Sequence, residues 1–445
     1  MFAYHFNLAL RSFRRNPGIT ALMVLAIGLG IAVCVMSLTV YHAMGSNPLW
    51  WKNDRVFAVT MDTWSPSEPY NDEQPELPPT LLTYKDALAI LRSAIPQHTV
   101  VMYVAGGVLS GAPVETKPVR QATRATTADF FATFDVPFQY GRGWDKAADD
   151  NKTPVIVLAN DVNQKLFGGA NSVGKSLRWN DIEFQVIGVL KPWRPLPKFY
   201  DLNNGSFDEP EGAFVPLRWA VESQAEVWGN MNCWKSEKLD SYADRLQSEC
   251  VWMEAWVELP NSAARARMLA FLDTYANQQR KFGRFQRAQN NRLTPVDQWL
   301  ADNQVVSNDN KLLVGLAFAF LAVCLLNTVG LLLAKFLNAA PMSGIRRALG
   351  ASRRDIFLQH LTEASAVALA GGLMGLLLGA LGLAGIRGLY SGFGDQPSSY
   401  ELLARVDVNS VLWALGLAVV ATLVAGLYPA WRIGRLAPAS YLKTQ

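Results

Sequence analysis

Two stretches of 23 residues without an ionisable side chain, 312–334 and 364–386, stand on either side of the short basic segment 335–360. Each is long enough for an α-helix to cross a hydrocarbon core of about 30 Å. The segment between them holds Lys335, Arg346, Arg347, Arg353 and Arg354 against one acid, Asp355. A short loop of that sign belongs on the inner face of a membrane, where Lys and Arg flanks are retained. Two further charge-free runs, 19–41 and 408–428, bring the expected number of transmembrane helices to four.

Charged residues are only 18% of the chain, below the roughly 25% of an average soluble domain. A mean hydropathy of +0.09 nevertheless excludes a chain that is all membrane. The expectation is an α+β membrane protein, with a large extracytoplasmic α/β domain between helices 1 and 2. Residues 1–18 form a cytoplasmic segment, 19–44 the first span, 45–310 the external domain and 311–334 the second span. Residues 335–360 form a cytoplasmic loop, and 361–445 the third and fourth spans with a cytoplasmic tail. The three inner pieces carry 11 Lys and Arg and one acid, while the whole chain is only +4, so the rest is negative. This asymmetry places both termini inside, and it leaves no basic surface suited to nucleic acid.

Phe2, Phe6, Leu10 and Phe13 recur at helical spacing among Arg11, Arg14 and Arg15. That pattern fits an amphipathic helix in the headgroup zone, or simply a basic tail ahead of the first span. The first run exceeds a typical signal-peptide core, so an uncleaved anchor is expected. In the domain, strands are expected at 56–61, 99–104, 154–158, 184–189 and 251–259, and helices at 80–94, 128–134, 161–167 and 261–275. The segment 191–250, with its Pro, Gly, Asn and acidic clusters, reads as an elaborated insertion.

Residues 169–176, GANSVGKS, match the phosphate-loop spacing G-x4-G-K-S. A helical pattern precedes them and a strand-rich stretch follows, the reverse of what a phosphate cradle needs, so a turn is expected. The four histidines are not paired at metal-ligand spacing, and no nucleophile or zinc-protease motif occurs, so no catalytic residues and no metal site are expected. Cys34 and Cys324 fall inside spans. Cys233 and Cys250 lie in the external domain, where oxidising conditions allow a disulfide; two unpaired thiols are the alternative. Gly371, Gly375 and Gly379 form a stripe at i, i+4 spacing that lets another helix approach closely, within the chain or across a subunit contact.

Three blocks carry a family resemblance: GIRRALGASRRDI at 344–356, TTADFFATFDVPFQYGRGW at 126–144, and KLFGGANSVGKSL with FQVIGVL between 165 and 190. With the order of spans and domain they resemble the MacB/FtsX-like permeases of the type VII ABC transporter superfamily. The resemblance implies a permease without an ATPase of its own, working with a cytoplasmic ABC ATPase dimer that binds the ATP. It also implies a second permease subunit, homodimeric or heterodimeric, and an adaptor with an outer-membrane channel. In that family the ATPase grips the loop after the second span, and the stroke passes up the first two helices to the external domain. The carried-over coupling residues are Ile345, Arg346, Arg347, Leu349, Arg353, Arg354 and Ile356. One docking helix over 345–356 would turn Ile345, Leu349 and Ile356 to apolar surface.

The segment 339–343, AAPMS, departs from the basic and Glu-Ile-Gly pattern usual there, and Pro341 is expected to break the helix. Export of peptides, antibiotics or similar compounds is the leading implied function. A signalling scaffold of the FtsX kind and a lipoprotein-releasing permease of the LolC/LolE kind are the alternatives. All three place the chain in the inner membrane, in contact with the lipid bilayer.

Overall fold

The computed structural model describes residues 16–111, 118–391 and, near the C-terminus, 412–413, 416–417, 419–420 and 426–432. The aromatic and basic N-terminal pattern, much of the fourth apolar run, Arg435 and Lys443 lie outside the described residues. The chain divides into two compact units, residues 45–305 and the flanking segments together. In chain order the principal elements are α1 (Pro17–Gly45), β1 (Val56–Thr60), α2 (Tyr84–Leu91), β2 (His98–Gly111), β3 (Val119–Thr126), β4 (Phe138–Gly141), β5 (Val155–Leu158), α3 (Asn160–Phe167), β6 (Ser176–Trp179), β7 (Ile182–Leu190), β8 (Ala213–Pro216), β9 (Glu254–Glu258), α4 (Ser262–Arg280), β10 (Arg292–Pro295), α5 (Val296–Asp302), α6 (Asn308–Asn338), α7 (Ala340–Ala348) and α8 (Arg353–Ser391).

Among the described residues ten strands of the domain join one mixed sheet in the order β10-β1-β9-β2-β3-β8-β5-β7-β4, with β6 paired to β2 and β7. Alternation along β1 divides the core. Phe57 and Val59 face one side, with Ala87, Ile90, Val162, Met268 and Leu272 from α2, α3 and α4. Val56 and Ala58 face the other, an aromatic layer that includes Phe130, Phe134, Phe199, Tyr200, Phe214 and Trp256. Rings there meet edge to face, as Phe134 and Phe199 do on Trp256 at 5.8 and 5.7 Å, the arrangement the ring quadrupoles favour.

Segment 191–250 is not an insertion hung on a finished core. It supplies β8, which lies inside the sheet between β3 and β5, and it places Phe199 and Tyr200 in the aromatic layer. The run Ala-Phe-Val-Pro at 213–216 is buried at every position, so it has no alternation by which a strand could be read. Residues 169–176 form a turn. Gly168 ends α3 in the left-handed region, Gly169 and Gly174 also have positive φ, and Ser176 opens β6. No helix N-terminus follows to receive a phosphate.

Among the described residues three helices are long and apolar enough to cross a membrane: α1, α6 and α8. Their contacts fix their relative directions. A Cβ on Gly371 would lie 2.7 Å from Ile27, one on Gly375 2.8 Å from Ile31, and one on Gly379 3.7 Å from Val35. The two series ascend together, so α1 and α8 run parallel. Conversely, Lys335 reaches Thr20 at 3.4 Å and the Cys34 thiol donates to the Ala317 carbonyl at 3.3 Å, so α6 runs antiparallel to α1. The glycine stripe is therefore an intramolecular seam in which backbone closeness to α1 replaces side-chain volume. Leu or Val at Gly371 or Gly375 would have no space.

Candidate functional site

The loop between α6 and α8 is a helix and a turn, not one docking helix over 345–356. Residue Ala339 ends α6, and Pro341 stands in the first turn of α7, where its missing N–H forfeits no helical bond. Helix α7 stops at Ala348, and Gly350 follows at φ +106°, a conformation that disfavours any side chain. A new cap then starts α8. The Asp355 amide donates to Ser352 Oγ at 3.2 Å, and the Ser352 amide donates to Asp355 Oδ2 at 3.0 Å.

This break separates the expected coupling residues. Ile356 is 2% exposed and packs in the helix core with Met23, Ile27, Leu332 and Phe336, so it does not face a partner surface. Leu349 is 83% exposed at the turn, and Ile345 and Met342 are about half exposed on α7. Arg353 and Arg354 are exposed at the start of α8, whereas Arg346 donates to Gln359 Oε1 at 2.8 Å and ties α7 to α8. Arg347 is on α7, with its side chain outside the description. The arrangement is an apolar knob on a short helix, flanked by cations.

Just inside this loop lies an ion pair that sequence reasoning missed. Lys335, in the last turn of α6, meets Glu363 of α8 at 2.6 Å, with both side chains almost fully buried. Thr20 of α1 completes the contact, and the ring of His360 lies 4.3 Å from that of Phe336 beside it. Lys335 was expected to be one more loop cation. Its partner stands 28 positions later, beyond any local spacing rule, so only the three-helix geometry brings them together.

The domain holds a second network that was not anticipated. Arg124 of β3 is fully buried and bonds three carboxylates: Asp201, Glu211 at 2.5 Å and Glu254 at 2.9 Å. Lys198 lies 3.6 Å from Asp201 and 3.5 Å from Glu211, and the Tyr200 hydroxyl donates to Glu211 at 3.1 Å. Burial opposes the charge on Asp201 and Glu211, but Arg124 and Lys198 outweigh it and hold both below the usual carboxylate range. Burial and the neighbouring Asp201 charge instead push Glu254 well above it. Arg124 and Lys198 thus balance the charges of Asp201 and Glu211.

The structure joins Cys233 to Cys250 as a disulfide, 17 positions apart. Loop closure of that length stabilises by about 3 kcal/mol through the unfolded chain. A non-reduced digest of protein from an oxidising compartment should yield the linked peptide. Recovery of two alkylated thiols instead would refute the pairing. Cys34 and Cys324 are free and buried. Among the described residues no group of His, Cys, Asp and Glu could hold a metal ion.

Long apolar helices joined by a short basic loop, with one folded domain inserted after the first of them, fit a membrane protein that carries a large domain between its first two spans. The chain belongs to the MacB/FtsX-like permeases of ABC transporters: the MacB-like periplasmic core domain matches residues 20–266 and the FtsX-like permease C-terminal domain matches residues 314–438. It is 25% identical over 437 residues to the pyoverdine export ATP-binding/permease protein PvdT of Pseudomonas aeruginosa, covering 96% of this chain and 56% of that one. It is 25% identical over 304 residues to the macrolide export ATP-binding/permease protein MacB of Bdellovibrio bacteriovorus, covering 68% and 41%. The chain thus spans about half the length of the curated relatives it matches. The periplasmic region of MacB from Actinobacillus actinomycetemcomitans aligns over 59% of this chain and 99% of that one, at 13% identity and a TM-score of 0.36.

Proposed function

We propose that the chain is the permease component of an ABC exporter driven by an ATP-binding partner that grips the loop between α6 and α8. The observation that carries this reading is Leu349. A leucine 83% exposed at the tip of a turn, beside half-exposed Ile345 and Met342, is an anchor without a pocket among the described residues. Arg353 and Arg354 supply the rim, suited to acidic residues on the partner. In this reading both termini and the loop are cytoplasmic and residues 45–305 are external. The stroke leaves the loop along α1 and α6, the helices that enter and leave that domain. The names of the relatives point to secreted compounds such as pyoverdine or macrolides as cargo. A second permease subunit, an adaptor and an outer-membrane channel would complete the assembly.

Leu349→Glu tests the reading without touching the four arginines. Seated in an apolar pocket, the new carboxylate would be buried without a partner and cost about 2–5 kcal/mol of association. Co-purification of the ATP-binding partner and stimulation of its ATPase should both fall sharply. Equal recovery and equal stimulation would show that the loop only anchors the membrane face.

A further inference from the structure

Beyond the export reading, and independent of it, the domain holds a cavity of about 270 Å³ whose floor is the β1–β10 edge of the sheet. One wall is the strap of residues 62–80, and the other is the end of α5 with the residues that follow it. The strap is fixed in place. Arg287 donates to the carbonyls of Ser65, Glu68 and Pro75, and Asn290 and Arg292 donate to that of Glu76. Such a wall is preformed, which keeps the ordering cost of binding low.

Two floor residues, Thr60 and Thr294, are 3% and 6% exposed and line the cavity. Pairing of Thr60 with Arg292, and of Ala58 with Thr294, puts all four on one face of the sheet. Among the described residues neither threonine hydroxyl has a hydrogen-bond partner, and neither is sealed away from the cavity. Hydroxyls so placed are satisfied by whatever occupies the cavity. Arg292 spends its Nε on Asn290 and one terminal nitrogen on Glu76, which leaves the other terminal nitrogen for an anion. Glu73 and Asp302 supply carboxylates on the two walls.

We propose that this cavity binds a small zwitterionic solute of amino-acid size, its carboxylate on Arg292 and the threonine hydroxyls and its ammonium group toward Glu73 and Asp302. The volume falls just below the usual range of ligand sites, roughly 300 to 1,000 Å³, which suits a very small solute and excludes an exported macrocycle. A neutral sugar would leave the opposed charges of the lining unused. Gln304, four residues before α6 begins, also lines the cavity.

Isothermal titration of the full chain in lipid nanodiscs tests this, with each proteinogenic L-amino acid at millimolar concentration and glucose as the neutral probe. At least one amino acid should bind with unit stoichiometry and glucose should not. Its N-acetyl and C-amide derivatives should each bind about tenfold or more weakly. Thr60→Val and Thr294→Val should weaken binding while leaving the ligand-free melting temperature equal or higher, because the hydroxyl they remove has no partner among the described residues. No binding by any amino acid, binding indifferent to blocked termini, or binding of glucose alone would each overturn the proposal. None of these readouts needs the ATP-binding partner, so failure here leaves the export reading standing and failure there leaves this one.

Discussion

Arg124→Met is expected to destabilise the large domain by about 3–5 kcal/mol, enough to leave much of it unfolded, because it strands carboxylates that are already out of water. Asp201 and Glu211 hold their charge against the guanidinium, and Lys198 alone would remain to balance the two. Glu254→Gln should behave oppositely. Its surroundings disfavour the charged carboxylate, so the neutral amide should leave stability equal or higher at pH above the ordinary glutamate range.

The pH dependence follows from the same assignments. Asp201 and Glu211 have lowered values, so their contribution is present above about pH 4 and is lost as pH falls through the folded values. Glu254 has a raised value, so between its unfolded and folded values the folded state holds the extra proton and stability declines as pH rises. The wild type should therefore lose stability as pH rises above the ordinary glutamate range, along a limb that Glu254→Gln removes. Thermal unfolding followed by circular dichroism measures both effects. An Arg124→Met melting curve superimposed on wild type would show that the cluster carries no net stability.

Much of the membrane unit was legible because its signals are local. Charge-free runs mark α1, α6 and α8, and the arginines around Leu349 mark the loop between the last two. The error at Ile356 came from treating 345–356 as one periodic face. Gly350 and the Ser352–Asp355 cap were readable signs of a break, and periodicity does not survive one. Strand β8 was hidden for a different reason. Buried on both faces, it lacks alternation, and at four residues it is too short to stand out as an apolar run. Of the Arg124 cluster, Lys198, Asp201 and Glu211 come from that same misread segment, and solvated loops of similar composition are far commoner than buried charges.

Glu363→Ala, and equally Lys335→Ala, should destabilise the helix unit, since each removes the oppositely charged neighbour of a group that is almost fully buried. Both side chains are nearly inaccessible, and the contact lies where α6 ends and the loop begins. Lys335→Met with Glu363→Met removes both charges and keeps the volume, so thermal stability in detergent should return to near wild type. The double variant then separates two roles for the pair. If it only fills space, the stable double variant should support full ATPase stimulation by the partner. A pair that transmits movement is different. It joins the two ends of the loop to each other and to Thr20 on α1, so under the proposed coupling a push on α7 would reach all three helices through it. Apolar packing between methionines lacks that directional link, and the stable double variant should then bind the partner normally yet stimulate its ATPase poorly. If either single alanine variant melts like the wild type, the pair is not buried in the membrane as drawn, and neither role survives.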